Sequence, residues 1–221
     1  GGMQYLLEKY GKLIWLEEEI VTGPGFLEFM NQALDCYRDA DKVISITGYT
    51  PPIELPVDYR HDVFFLQRFN AWGFGTWKSK FEKIDLKIDE NEYHLKMNDR
   101  GFYRKRVATG QDIPGMIDSE VRGVIDALDV KIMYKQILHD WYTVHPRRSL
   151  VQNIGHDGSG LHCRVSDKFH HDELWGKTGI FNFPEEVQVD KRIVSANRNF
   201  RSVGMQGKFT ELIRRFRSRL S

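Results

Sequence analysis

Three consecutive acids, Glu17, Glu18 and Glu19, come directly after the apolar run 13–16. The run is too short for a helix, and Gly11 and the acids bound it, so it predicts a buried parallel strand. In open α/β sheets, ligands bind beyond the carboxyl ends of the strands. Carboxylates there can hold Mg²⁺ or Mn²⁺ against a diphosphate and neutralise the charge on a departing nucleoside diphosphate. The alternative is a solvated acidic loop.

A glycine-aromatic run, NAWGFGTW, occupies residues 70–77. Paired glycines let backbone approach a ligand, and indole rings between them offer flat faces on which a sugar can stack. The candidate substrate contacts in this run are Trp72, Gly73, Phe74, Gly75 and Trp77. The alternative is a tight turn whose aromatic side chains fill the core.

Asp112 lies between a charged, weakly periodic segment at 85–106 and a predicted helix. The segment resembles a mobile excursion, and such loops often close over a substrate. The Asp112 carboxylate could cap the helix or act as a general base. On the sequence around Asp112 alone, the role of helix cap is favoured over that of general base.

A glycine-rich run, NIGHDGSGLHC, follows a predicted strand at 153–163. Exposed backbone amides in such a loop can cradle phosphate, and an imidazole can donate to that phosphate or complete a metal shell. The candidate residues are Asp157 and Ser159 for substrate and His162 for metal. A zinc site with the histidines at 170–171 is an alternative, although no ligand pair has the short spacing typical of zinc.

Hydrophobic periodicity predicts an α/β fold in which a sheet with a parallel core is flanked by helices. The predicted strands lie at 13–16, 43–47, 62–69, 142–145 and 149–154. The predicted helices lie at 3–10, 26–37, 77–84, 113–128, 130–141 and 209–220. Beyond Cys163 the alternation is lost.

Composition fits one domain or a domain plus an extension, because 221 residues that are 41% hydrophobic can bury a core. The 32 Lys+Arg and 31 Asp+Glu nearly cancel, so no global charge favours nucleic acid. The two distant cysteines, Cys36 and Cys163, predict a reducing compartment, the cytoplasm. No apolar run approaches the ~20 residues that cross a bilayer.

Five of these segments resemble, in the same order, the bacterial family 2 glycosyltransferases of GT-A fold, whose distant relatives include N-acetylglucosaminyltransferase I. The resemblance covers residues 9–163 and rests on KYGKLIWLEEE, PGFLEFMN, SITGY, WGFGTW and NIGHDGSGLHC. It implies a GT-A-like mixed sheet flanked by helices. It also implies metal-assisted transfer of a sugar from a nucleotide-sugar to a hydroxyl acceptor in polysaccharide or glycoconjugate synthesis, by an inverting direct displacement.

The resemblance implies roles for single residues. The last acid of the family's Glu-Asp-Asp motif binds the cation that holds the donor diphosphate, which assigns Mn²⁺ or Mg²⁺ to Glu19 with Glu18. These glutamates stand where aspartates are usual, and Glu17 beside them becomes a candidate substrate contact. A carboxylate after the tryptophan-rich segment deprotonates the acceptor hydroxyl in the family, and Asp112 matches it.

The family also carries a segment before the position of Lys9 whose strands bind the nucleotide base and ribose. We therefore expect residues 1–165 to form the acceptor-side, catalytic part of a GT-A-like domain that is incomplete at its amino end. Such a chain would bind a UDP-sugar poorly and be inactive alone, and its open strand edge could pair with a second copy. The alternative is a non-catalytic carbohydrate-binding or scaffold module derived from such an enzyme.

The remaining residues, 166–221, form a predicted extension that ends in a helix in which arginines accompany an apolar face. Such a helix can lie on an anionic bilayer or pack on its own domain. Because family members often act on glycan or lipid-linked acceptors at the inner face of the membrane, the resemblance implies peripheral attachment through 207–221.

Overall fold

The structure is a computed structural model, and the residues that it describes are 2–155, 169 and 173–202. The predictions for Asp157, Ser159 and His162 lie outside the described residues. So do those for the histidines at 170–171 and for the helix at 209–220.

The described residues form a mixed sheet with helices on both faces. The helices are α1 (Gly2–Tyr10), α2 (Phe26–Cys36), α3 (Lys78–Phe81), α4 (Glu90–Met97), α5 (Arg100–Thr109), α6 (Ile113–Val121), α7 (Leu128–His139) and α8 (Lys191–Phe200). The strands are β1 (Lys12–Trp15), β2 (Ile20–Thr22), β3 (Val43–Thr47), β4 (Val63–Leu66), β5 (Phe74–Trp77), β6 (Tyr142–Pro146) and β7 (Val151–Asn153).

The five-stranded sheet has the order β1-β5-β3-β6-β4, and β2 pairs with β7 in a separate two-stranded ribbon. Only β3 and β6 are parallel, and the other neighbours in the sheet are antiparallel. The prediction that 13–16 is a buried parallel strand was therefore wrong. Among the described residues β1 pairs only with β5, antiparallel, and its Trp15 is 37% exposed.

Strands β1, β3 and β6 nevertheless run in one direction, because β1 and β3 both pair antiparallel with β5 while β6 is parallel to β3. Their carboxyl ends, at Trp15, Thr47 and Pro146, therefore define one rim of the sheet. Phe74, the first residue of β5, is the register partner of both Trp15 and Thr47. Segments that enter or leave these strand ends meet at this rim, as expected of an open α/β sheet.

Three apolar clusters hold the helices against the sheet, and the smallest joins Ile193 of α8 to Phe64 and Leu66 of β4. Helix α2 buries Phe26, Phe29 and Met30 in a cluster that also contains Val144 and Phe181. A second cluster joins buried residues of β3 and β5 to helices α4 to α7. Because residues before and after position 165 share the first cluster, that cluster does not separate the two predicted domains, and the boundary stays a prediction.

The prediction of a mobile excursion at 85–106 was wrong, since this segment contains α4 and α5. Each helix begins at an aspartate whose Oδ1 accepts a hydrogen bond from a backbone amide: Asp89 from Glu92 at 2.8 Å, and Asp99 from Phe102 at 2.7 Å. Such caps satisfy amides that a helix leaves unpaired. Helix α8 was not predicted, and Asp190 caps it in the same way.

Candidate functional site

The three acids form a tight turn between β1 and β2, in which the Ile20 amide donates to the Glu17 carbonyl at 3.1 Å. Pairing of β2 with β7 brings the turn beside the start of the glycine-rich run, where the Ile154 amide donates to the Glu19 carbonyl at 3.0 Å. The Glu19 side chain packs against Gly155, since a Cβ added there would lie 3.1 Å from Glu19 Cγ. Two predicted motifs, far apart in sequence, thus meet at the rim, and the side chain of Glu18 is exposed.

The pKa of the Glu17 carboxyl reflects the negative charge of this turn. Burial raises the pKa of its carboxyl, and the negative charges of Glu19, Glu18 and Asp129 raise it further. Like charges near a partly buried carboxylate disfavour its ionised form. Asp129, which belongs to α7, is therefore close enough to the acidic turn to affect its titration.

A cavity of about 280 Å³ is lined by side chains from several of these helices and connections. Arg68 and Trp72 reach it from the connection between β4 and β5, and Asp112 reaches it from the start of α6. Asp129 enters from the first turn of α7, and Arg201 from the end of α8. The side chain of Phe169 completes this part of the wall. The cavity thus joins Trp72 to Asp112, and Asp129 connects it electrostatically to Glu17.

Asp112 is held in a two-point ion pair. Arg68 Nη1 donates to Asp112 Oδ1 at 2.9 Å, and Nη2 donates to Oδ2 at 2.8 Å. Burial alone would raise the pKa of Asp112, but the charge and hydrogen bonds of Arg68 outweigh it and lower the pKa below its ordinary value. A carboxylate fixed in this way is a weak proton acceptor. Its side chain makes no capping bond to α6 either. The role of base stays a prediction for Asp112, and this geometry favours a role in positioning Arg68.

The pKa of Asp129 is shifted upward, in the opposite direction to that of Asp112. Asp129 was not among the predicted site residues. Burial raises the pKa of its carboxyl, against the lowering effects of its hydrogen bond from the Val130 amide and of the charge on Arg68. A raised pKa makes a carboxylate a better base near neutral pH. Asp129 comes directly before the helix predicted at 130–141, and an acid at the start of a helix is ordinary, so the sequence offered no signal that separates Asp129 from such acids.

The glycine-aromatic run divides between the cavity and the core. Trp72 lines the cavity and stands edge-on to Tyr49, with ring centroids 4.6 Å apart. Phe74 and Trp77 are buried in β5, and Trp77 Nε1 donates to the Leu34 carbonyl at 3.0 Å. For these two residues the core-filling alternative describes the structure, and we withdraw them as substrate contacts.

The two glycines of this run serve packing as well. A Cβ on Gly73, whose φ is +61°, would lie 3.0 Å from Phe26 and 3.1 Å from Val151. A Cβ on Gly75 would lie 3.0 Å from Met30 Cε. Neighbouring side chains leave little room for a Cβ at either glycine, and the role of Gly73 and Gly75 as substrate contacts stays a prediction.

His145 contacts both the chain after β3 and the segment of the cavity wall that follows β4. Its Nδ1 lies 3.0 Å from the Tyr49 carbonyl, and its Nε2 lies 3.0 Å from the Arg68 carbonyl. Burial lowers the pKa of His145 to about 4, so the ring is neutral at pH 7 and donates to one of the two oxygens. The ring thereby links the chain after β3 to the chain after β4.

The negative charge of the acidic turn favours binding of a cation, but the described side chains do not surround a cation site. The mutual repulsion recorded by the Glu17 pKa is what a divalent cation would relieve. In the part of the chain that is described, no three acidic, histidine or cysteine side chains are close enough to surround a metal ion. Mg²⁺ is commonly held by one or two carboxylates together with substrate phosphates, so the turn fits such an open site.

Comparisons with known proteins add no family to this geometry. Neither the models of protein families nor the curated protein sequences contain a match to this chain. Within the described residues, no helix has the length and apolar character needed to span a membrane.

Proposed function

We propose that this chain is the catalytic part of a glycosyltransferase that moves a sugar from a nucleotide-sugar to a hydroxyl acceptor. The observation that carries the proposal is Asp129, a carboxylate with a raised pKa that lines the cavity containing Trp72 and acts by its charge on Glu17 of the acidic turn. Direct displacement of a diphosphate by a hydroxyl needs a base and a site for the diphosphate. The GT-A-like pattern of the sequence motifs supports the same reaction.

Asp129 is the base in this proposal. Its carboxylate accepts the proton of the acceptor hydroxyl while the hydroxyl oxygen forms a bond to the anomeric carbon. The bond from that carbon to the diphosphate breaks as the electron pair leaves with the diphosphate, which inverts the anomeric centre. Trp72 lines the cavity, and in this proposal its indole is the surface on which the sugar stacks.

Glu19, with Glu18 beside it, would hold Mg²⁺ or Mn²⁺. The cation would supply positive charge for the leaving diphosphate when bound. Glu17 is half-buried and adds negative charge to the turn, and the charges of Glu19, Glu18 and Asp129 all act on its carboxyl. Asp112 fixes Arg68 in the cavity wall rather than accepting a proton.

Amide substitutions test this division of roles. Asp129→Asn and Glu19→Gln would be made in the full natural reading frame, with Asp126→Asn as the matched control because Asp126 is 89% exposed and three residues away. UDP release from a panel of UDP-sugars, with Mn²⁺ and glycan acceptors, is the readout. We expect Asp129→Asn to lower the rate by about 100-fold or more, the typical contribution of general base catalysis. Asp126→Asn should stay within about twofold of the wild type.

Mn²⁺ titration separates the base from the metal ligand. Glu19→Gln should raise the Mn²⁺ concentration that gives half-maximal rate, whereas Asp129→Asn should leave it unchanged. Full activity in Asp129→Asn would eliminate Asp129 as the base. Retained glycan binding with no UDP release from any donor would overturn the enzyme and identify a carbohydrate-binding module.

A further inference from the structure

Arg201 is a cation without a counter-ion in the cavity wall. Its Nε is buried and has no hydrogen-bond partner, and no ion pair of its guanidinium is found within residues 2–155, 169 and 173–202. The guanidinium lies over the rings of Phe169 and Phe200, 5.0 and 5.3 Å from their centroids. Removing a charge from water without a partner is costly, so such an arrangement calls for a ligand or a special environment.

The other groups of the cavity do not neutralise Arg201. Asp112 is the nearest candidate by charge, but both of its oxygens accept hydrogen bonds from Arg68. Asp129 acts on Arg201 only through charge, and burial lowers the pKa of Arg201 to about 10 even with both acids nearby. Arg68 and Asp112 form a closed pair, so among the described residues of the cavity wall Arg201 is the cation that an incoming group can meet.

We propose that the cavity binds an anionic group, a phosphate or a carboxylate, through the guanidinium of Arg201. The planar fork of arginine matches the oxygens of both groups and can donate two parallel hydrogen bonds to either. The rings of Phe169 and Phe200 contact the guanidinium, and Arg201 lines the cavity into which an anion would enter. The cavity volume of about 280 Å³ accommodates one such group together with part of a sugar ring.

The anion has two possible sources in the transferase, and this assignment rests on the proposed function. One source is the diphosphate that leaves the donor. The other is an acidic group on the acceptor, such as a uronic acid carboxylate. In both cases Arg201 discriminates between substrates by charge, because a neutral ligand would leave its buried charge without a counter-ion.

Direct binding tests the proposal without any need for transfer. Isothermal titration of the purified chain with inorganic phosphate, pyrophosphate and glucuronic acid would be repeated on Arg201→Met, Arg201→Lys and Arg198→Met. Arg198 is exposed on α8, three residues before Arg201, so it controls for the loss of one positive charge. We expect Arg201→Met to weaken binding at least about tenfold, as for loss of a charged hydrogen bond. Arg198→Met should bind like the wild type.

The probes identify the source of the anion. Binding of pyrophosphate but not glucuronic acid would assign Arg201 to the leaving group, and the reverse would assign it to an acidic acceptor. Absence of binding of all three anions, or equal binding by wild type and Arg201→Met, would overturn the proposal. If Arg201→Met proves unfolded by circular dichroism, Arg201→Lys decides, because it keeps the charge and loses the fork, and unchanged affinity there would refute the role of the fork.

Failure of this inference is distinguishable from failure of the proposed function. Anion binding that depends on Arg201 in a chain without transferase activity would retain the anion site and discard the enzyme. Sugar transfer that depends on Asp129, without any anion binding, would retain the enzyme and discard the anion site.

Discussion

Replacing Asp112 by asparagine removes one negative charge from the cavity wall and keeps the shape of the side chain. Arg68, whose side chain is 8% exposed, then loses its counter-ion while Asp112 itself is 29% exposed. Breaking a buried pair typically costs 3–5 kcal/mol, and the partial exposure of Asp112 places the expected loss near the lower end, at about 3 kcal/mol. For a chain of this size that corresponds to a fall in Tm of about 6–12 °C.

Urea unfolding followed by circular dichroism measures this loss as a lower midpoint with an unchanged m-value. A double-mutant cycle with Arg68→Met isolates the pair. Once the cation is absent, Asp112→Asn should cost much less, so the double variant should be more stable than the sum of the single losses predicts. Additivity within about 0.5 kcal/mol would refute the ion pair as the reason for the loss.

The stability difference between wild type and Asp112→Asn should also depend on pH, in a direction that the lowered pKa of Asp112 determines. The pKa of Asp112 is lowered in the folded state, so its contribution is complete above its unfolded pKa of about 3.9 and is lost as the pH falls through the folded value. The stability difference between wild type and Asp112→Asn should therefore be constant from pH 5 to pH 7 and shrink below about pH 4. A difference that grows on acidification would contradict the lowered pKa.

Two further predictions concern groups around the cavity. The folded pKa of His145, about 4, lies below its unfolded value of about 6.5, so the free energy of unfolding should fall by up to about 3 kcal/mol as the pH drops between these values. Urea unfolding of His145→Asn should lack this component. Gly73→Ala should destabilise by about 2–4 kcal/mol, because a left-handed backbone costs 1–2 and the Cβ meets Phe26 and Val151. Gly11→Ala, with φ +74° and open space around its Cβ, should show only the backbone part in the same unfolding measurement.

Long elements with a clear apolar pattern could be predicted from the sequence. The strand predicted at 43–47 is β3, Val43–Thr47, in which all five residues are buried. The helix predicted at 26–37 is α2, Phe26–Cys36, which buries one apolar stripe. In both cases burial and local pattern agree, which is the condition under which periodicity is informative.

Strand β5 could not be predicted because its residues resemble a turn. Phe74–Trp77 contains Gly75, a residue that weakens isolated strands. Here β5 lies between β1 and β3, and the missing side chain gives Met30 and Leu34 of α2 space to pack. The neighbouring elements, which are distant in sequence, decide the conformation. The misassignment of β1 as a parallel strand follows from the same omission, because β5 is its only described partner.

The location of the candidate site was easier to predict than the chemistry of its residues. The acidic turn does follow a strand whose carboxyl end lies on the rim, because β1 runs in the direction of β3 and β6. The state of Asp112 depends on Arg68, 44 residues earlier, and no local pattern reports that pairing. The resemblance matched Asp112 by order along the chain, whereas protonation depends on the charges that surround a group in space.

Asp112 and Asp129 line one cavity, and their surroundings shift their pKa values in opposite directions. Arg68 keeps Asp112 charged, so that pair contributes no proton acceptor and little net charge. Asp129 has no such two-point partner among the described residues, and burial makes its carboxylate the more basic of the two. Where two carboxyls in one site are separated in pKa, the one with the raised value is the candidate for proton transfer and the other for electrostatic positioning. In the proposed reaction, with Arg68 neutralised by Asp112, an anion entering the cavity would meet the charge of Arg201, and Asp129 would accept the proton of a neutral hydroxyl. One cavity wall would thus supply both a cation for an anionic group and a base for a hydroxyl, and the proposed displacement on a nucleotide-sugar needs both.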